Sequence, residues 1–430
     1  MSGEFDPTNE LGLFPEKMMA CGVRGFLTRG DSLRQLCRRF IPNGDRFLDV
    51  LERYDMLTAY VIGRDEAVAG NAAKWALPFL RGCGATDHSV HVCAEESLKV
   101  MPGASEAMGY MSKLMPSFIT TSTYEQAMLP LEAALDAPLA EAAYSQTLMD
   151  HSNFGRMYSK NIRKLAAEIS ELEIPAKFYA LNQETSLDEK DIRIIEFMDE
   201  VLNEKISGPG ESLMESCVIM NSSKKAYRLL DLRRSNNVDL DGTVYIAGDH
   251  SDYQTMNLVQ ESMGLSMAFN GSEYAVRGSN IAVISKSSTV GALLAYLFYD
   301  KGIQAVTELA ENWSRDALKE FGFTDRYLAD MLLAETTPWP EVYVVNKDNM
   351  DRIAARSDKV HEMMMKERHR IRCVRRLSVR SSSLSSASRY ISFRRPSYSS
   401  VAFQSPLLMA SNKVLRMFMT AYGLTSFIQS

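Results

Sequence analysis

The stretch Asn236–Asp252, "NNVDLDGTVYIAGDHSD", holds two carboxylate pairs, Asp239 with Asp241 and Asp249 with Asp252. Such a pair can attack and exchange protons, or hold a hard cation such as Mg²⁺ through its oxygens. Open α/β sheets place their chemistry at the C-terminal ends of strands, so a working carboxylate there follows a buried apolar strand. Asp239 follows "LRRSNNV", a polar turn, and the apolar run "TVYIAG" comes after it. Asp239 and Asp241 are therefore expected at the start of a strand, on the wrong edge of the sheet. Asp249 and Asp252 follow the same run and are expected at its C-terminal end, where two oxygen donors suit a cation.

The elements that position these groups alternate between strand and helix. "SFITTST" (117–123) is β-branched and ends in hydroxyls, which predicts a strand with a polar C-terminal edge. "SCVIMNSSKKAYRLLDL" predicts strand, hydroxyl-rich turn and helix; "GTVYIAGDHSDYQTMNLVQESMG" predicts strand, acidic turn and helix. "LSMAFNGSEYAVRGSNIAVIS" adds two strands around a helix-sized connection. Alternation of this kind implies α/β architecture, a parallel sheet with helices on both faces. Apolar residues at three- and four-residue steps predict helices through residues 31–101 and across most of 130–210.

Of the 430 residues, 46% are hydrophobic and 24% charged, enough for a sizeable core. The net charge of −6 argues against a nucleic-acid binder for the folded part. Cys21, Cys37, Cys83, Cys93, Cys217 and Cys373 form no CxxC pair, which reads as reduced thiols in a cytoplasmic protein. The six histidines lack metal-ligand spacing. The 25 methionines fall mostly at helical spacing and read as core filler. "VGALLAYLFY" (290–299) is about half of what a membrane span needs. Residues 1–17 read as a loose leader. Residues 371–430 are rich in Arg and Ser and read as a disordered tail, with RNA or anionic lipid as the alternative partner.

"FIPNGDRF", "ALPFLRGCGATD", "MPSFITTSTYEQ", "GDHSDYQTM" and "AFNGSEYAVRGSNIAVIS" resemble archaeal haloacid dehalogenase-like (HAD-like) proteins, some labelled as a subunit of an energy-converting hydrogenase. The resemblance spans about Met18 to Arg370. It implies a HAD-like Rossmannoid three-layer sheet, with core at 18–30 and 102–370, a helical cap at 31–101 and a further helical insert at about 130–210. In such phosphatases an Asp attacks phosphorus and a carboxylate two residues on serves as acid and base. A Ser or Thr ends the second strand, a Lys starts a later helix, and an acidic pair follows the fourth strand and holds Mg²⁺.

Carried over by position, the hydroxyl is Thr121 with Ser122 beside it, and the lysine is Lys225 or Lys224. The acidic pair is Asp249 and Asp252, although two residues separate them where the family has three. The nucleophile loop falls on "GVRG". Gly22 stands at the nucleophile and Arg24 at the acid/base position. Glycine cannot form an aspartyl-phosphate, and guanidinium keeps its proton near neutral pH.

The resemblance therefore implies a catalytically impaired phosphatase fold that binds a small phosphorylated ligand or regulates, with Mg²⁺ weakly held or absent. Arg24 is then expected beside Asp249. One alternative is an active Mg²⁺-dependent phosphohydrolase with a displaced nucleophile. Cys21 is one candidate, against a buried inert thiol; Asp31 is another, against a helix N-cap; His250 ligates or lines the rim. A second alternative is an accessory subunit of a hydrogenase complex, contributing protein contacts.

Overall fold

A computed structural model describes residues 15–366 except 66, 178, 180–186 and 337. The chain divides into two units, Met1–His369 and Arg370–Ser430, the second wholly outside the described residues, as is most of the expected leader.

Seven strands form one sheet: β1 (Met18–Cys21), β2 (Ser117–Tyr124), β3 (Glu141–Ser145), β4 (Thr243–Ala247), β5 (Leu265–Phe269), β6 (Ile281–Ile284) and β7 (Glu341–Val344). Their order is β3-β2-β1-β4-β5-β6-β7. From β1 the chain steps outward to β3, then crosses to the other side of β1 and steps outward again to β7. The reversal falls between β1 and β4, and open α/β sheets form their crevice at such a switch point.

The inner strands "MMAC", "TVYIA", "LSMAF" and "IAVI" are buried throughout, as expected for a sheet covered on both faces. Side chains alternate between faces. Met19, Cys21, Val244 and Ile246 pack with helices Ala104–Leu114, Glu125–Leu135 and Thr289–Lys301. Met18, Ala20, Tyr245 and Ala247 pack with helices Ser222–Ser235, Tyr253–Glu261 and Met350–Met365. The result is the three-layer α/β architecture expected from the sequence.

Three details differ from the expectation. β7 pairs antiparallel with β6, so the sheet is mostly, not wholly, parallel. "SCVIM" is not a sheet strand: Val218 makes only an isolated bridge to Gln146. The edge beside β2 is taken by β3, "EAAYS", which lies inside the stretch read as helical insert. Its alanines carry little strand signal.

The two helical stretches share one apolar core. Leu33, Phe47, Leu51, Leu77 and Phe79 from the first cluster with Ile162, Ile169 and Ile194 from the second and with Leu213 and Ile219 just beyond it. At Gly82 an added Cβ would lie 2.6 Å from Ile162 Cγ2, so glycine permits the close crossing of helices Ala72–Gly82 and Arg156–Glu171. This helical body meets the sheet domain through Tyr60, whose ring stacks on Tyr274 at 4.6 Å between centroids. Among the described residues no helix is long and apolar enough to cross a membrane.

Candidate functional site

The C-terminal tips of β1 and β4 lie side by side. Gly22 N donates to Ile246 O at 2.8 Å, which sets Gly22 against the start of the Gly248–Asp252 turn. Asp239 and Asp241 lie at the opposite end of β4, before Thr243, and are exposed; Asp239 pairs with Arg233 at 3.3 Å. The placement read from the sequence thus holds: Asp239 and Asp241 precede the strand, and of the two pairs only Asp249 and Asp252 reach the switch point.

Arg24 follows β1 by three residues and turns its guanidinium into three carboxylates. It lies 2.8 Å from Asp249, 3.1 Å from Asp31 and 3.3 Å from Glu52. The expected neighbour of Asp249 is therefore there. Burial alone would lower the Arg24 pKa, but Asp249, Asp31 and Glu52 outweigh it and hold it above its ordinary value. Burial would likewise raise Asp249, yet Arg24 and His250 keep its carboxyl well below the usual range.

Both Asp249 oxygens are engaged, Oδ1 twice. Oδ1 accepts from Ser251 N at 3.1 Å and lies 2.8 Å from His250 Nδ1; Oδ2 takes Arg24. His250 Nε2 lies 3.0 Å from Asp55, which also accepts from Gly70 N at 2.6 Å and Asn71 N at 3.2 Å. Burial disfavours the imidazolium, but Asp249 and then Asp55 raise the His250 pKa to about 10. His250 is thus a lasting cation joining the sheet turn to the helical body.

Asp252 points the other way. Its Oδ1 takes Lys225 Nζ at 2.7 Å and the Tyr245 hydroxyl at 3.0 Å, and its Oδ2 accepts from Asp249 N at 3.3 Å. Lys225 also donates to Ser251 Oγ at 2.8 Å, and the side chains of Lys225 and Asp252 are each only 2% exposed. Lys224, the other lysine of "NSSKKAY", is exposed. Thr121 Oγ1 donates to Thr123 Oγ1 at 3.0 Å, and Ser122 Oγ donates to Met220 O at 2.9 Å.

The carboxylates do not fit Mg²⁺. A hard cation needs several oxygens with open lone pairs. Here Arg24 and His250 take Asp249, and Lys225 takes Asp252, so protein cations already balance both. Position 22 also has little room. A Cβ there would lie 3.2 Å from Ala247 Cβ and 3.3 Å from Asp252 Oδ2.

The displaced-nucleophile candidates are engaged elsewhere. Asp31 caps helix Ser32–Phe40 through Leu33 N at 2.9 Å. Cys21 is fully buried, and burial followed by Asp252 pushes its thiol far up. Cys21, Cys37, Cys83, Cys93 and Cys217 are all unpaired thiols.

Sequence reasoning missed Glu52, Asp55 and Arg34. Glu52 pairs with Arg34 at 2.8 Å as well as with Arg24, and Arg34 reaches Asp49 at 2.8 Å. The available signal was "DVLERYD": Glu52 and Asp55 are three apart, so they share a helix face with buried Leu48 and Leu51. Beside this network lies a cleft of about 520 Å³, lined by Arg24, Glu52 and His250, by Tyr274 of the sheet domain, and by Asp358 and His361 of the helix Met350–Met365.

No family model matches the chain, and no curated protein matches it. Among solved structures, gene product AF1437 from Archaeoglobus fulgidus is similar at a TM-score of 0.64 and 19% identity, over 82% of this chain and 97% of that one. A substrate-bound phosphoserine phosphatase gives 0.39 at 11% identity, over 66% of this chain and 98% of that one. A phospho-aspartyl intermediate analogue of phosphoserine phosphatase gives 0.40 at 10%, over 65% and 98%. At these identities the likeness is one of architecture alone, and the chain has the three-layer α/β fold expected from its sequence.

Proposed function

We propose that this chain is a phosphatase-like protein that binds or regulates without hydrolysing phosphate esters. One observation carries the reading: at the switch point a glycine stands at the strand tip, and a guanidinium, not a second carboxylate, faces Asp249 at 2.8 Å. Loss of a nucleophile costs a well-studied hydrolase on the order of 10⁶ in turnover. Arg24, Thr121, Ser122 and Lys225 are each engaged with protein partners, which argues against the grip on a phosphate group expected from their positions. Ligand binding falls instead to the neighbouring cleft of about 520 Å³, within the range of small-molecule sites. Its lining combines Arg46, Arg53 and Lys177 with Asp358 and Glu362, which suits a small ligand of mixed charge, a phosphate being at most one of its groups.

The test is an assay of the purified chain with Mg²⁺ and a chromogenic phosphate ester. No turnover above buffer is expected. Turnover that Asp249→Asn abolishes would overturn the reading in favour of a working phosphohydrolase. The binding role is read by thermal shift against small phosphorylated and unphosphorylated zwitterions, since a ligand at 100 times its Kd stabilises by about 2.7 kcal/mol. Partner proteins, including the redox partners that a hydrogenase subunit would have, are tested by co-purification of the full chain.

A further inference from the structure

We infer that Asp358 and His361 are a docking pair for a primary ammonium group: the small ligand of the cleft carries one, and its N–H groups donate to Asp358 Oδ2 and His361 Nε2. This placement rests on the reading of that cleft as the ligand site.

The two residues are three apart on helix Met350–Met365, so their side chains leave it on one face, and both line the cleft. The sheet domain fixes one atom of each. Asp358 Oδ1 accepts from Glu273 N at 3.2 Å, and His361 Nδ1 lies 2.8 Å from Asn270 O. A carbonyl oxygen can only accept, so Nδ1 carries the hydrogen, and in the neutral ring Nε2 keeps a lone pair. Asn270 is itself held, its Nδ2 donating to Gly25 O and Ser285 O. Ser357, next to Asp358, donates to Gly271 O at 2.7 Å. Both acceptors are therefore set in place by the protein before any ligand arrives. Among the described residues Asp358 Oδ2 and His361 Nε2 have no partner, and neither is sealed from solvent.

The charge around them calls for a cation. Burial holds the Asp358 carboxyl above its ordinary pKa, and Glu362 and Glu273 add to this against the pull of His361. Burial also lowers His361, which leaves the ring neutral near pH 7. Among the described residues no Lys or Arg forms an ion pair with Asp358. A largely buried carboxylate without a counter-cation is costly, and a bound cation offsets that cost. The pair offers two acceptors and no donor, which disfavours a carboxylate or phosphate at this end. An ammonium has three donors and no acceptor, the complementary set. Among the described residues no group of three or more His, Cys, Asp or Glu could hold a metal ion, so an N–H donor is the cation that fits.

Thermal unfolding of the full chain, near neutral pH and at fixed ionic strength, tests this. The probes are the ω-amino acids from β-alanine to 6-aminohexanoate, the N-trimethyl form of each, and the matching acids without nitrogen. At least one amino acid is expected to raise the wild-type Tm saturably. Its trimethylated form, charged but without N–H, and the plain acid should bind about tenfold more weakly or worse. Asp358→Asn, which keeps an acceptor for Glu273 N, and His361→Phe, which removes Nε2, should each weaken binding by about tenfold or more. Glu362→Gln, which removes a neighbouring charge from the same cleft, should weaken it by less than about threefold. The ligand series decides the matter on the wild type alone, whether or not a substituted chain folds. Equal shifts from an amine and its trimethylated form overturn the inference, as does a folded Asp358→Asn chain that binds as tightly as the wild type. Phosphorylated anions that raise the Tm while no amine does sink this inference alone. A wild type that neither class moves sinks the binding reading with it.

Discussion

Replacing Lys225 by methionine keeps most of the length of the side chain and removes its charge. Lys225 Nζ and Asp252 Oδ1 are 2.7 Å apart, and each side chain is 2% exposed. At an effective dielectric of about 20 their gross attraction is about 6 kcal/mol, much of it offset by desolvation. Removing one partner does not return that solvation, because Asp252 stays buried with the Tyr245 hydroxyl and Asp249 N. Lys225→Met should therefore cost about 3–5 kcal/mol. Lys225→Met/Asp252→Asn should cost less than the sum of the single changes, with a coupling of about 1–3 kcal/mol. Urea unfolding of the four chains measures both quantities. Additive single changes, or a Lys225→Met cost below about 1 kcal/mol, would refute the view of this pair as a buried structural tie. Inorganic phosphate adds a second readout. If Lys225 held phosphate, the anion would stabilise the wild type and not Lys225→Met; with Nζ engaged by Asp252 and Ser251, no such difference is expected.

Gly22→Asp should not confer ester hydrolysis, because Arg24 still faces Asp249; crowding against Ala247 and Asp252 should cost about 1–3 kcal/mol, seen as a lower urea midpoint with the assay still blank. His250 should set an alkaline limb of stability. Its folded pKa, about 10, lies above the unfolded value of about 6.5, so its contribution is full below about pH 6.5 and is lost as pH rises toward 10. Tm measured against pH should fall across that window, and His250→Asn should flatten the fall; an unchanged slope would show that the imidazolium contributes nothing.

The strand–turn–helix around Asp249 was legible because "TVYIAG" is apolar without a break and the acidic turn follows it directly. The same order placed Asp239 and Asp241 at the far end of the strand. Arg24 beside Asp249 was legible from their places in two loops that share a sheet edge. The rest of the site was not, because it comes from side chains distant in sequence. Glu52, Asp55 and Arg34 look like the solvated face of an amphipathic helix until that helix is set against the sheet. The engagement of Lys225 with Asp252 depends on packing that periodicity does not encode. β3 was missed because alanine favours helix over strand, and its place was given to "SCVIM", whose Cys217 and Ile219 pack into the helical body instead.

The shared apolar core of the two helical stretches has a consequence for synthesis. Helices ending at Ser97 bury their faces against residues that run on to Ile219, with two sheet strands made in between. On the ribosome the first half emerges about 120 residues ahead of its mate, a wait of roughly 6–24 s at typical elongation rates. Through that interval Phe47 and Phe79 cover one another only in part, and the face that the later helices bury stays open, so the nascent chain is expected to lean on chaperones most heavily before the second half arrives.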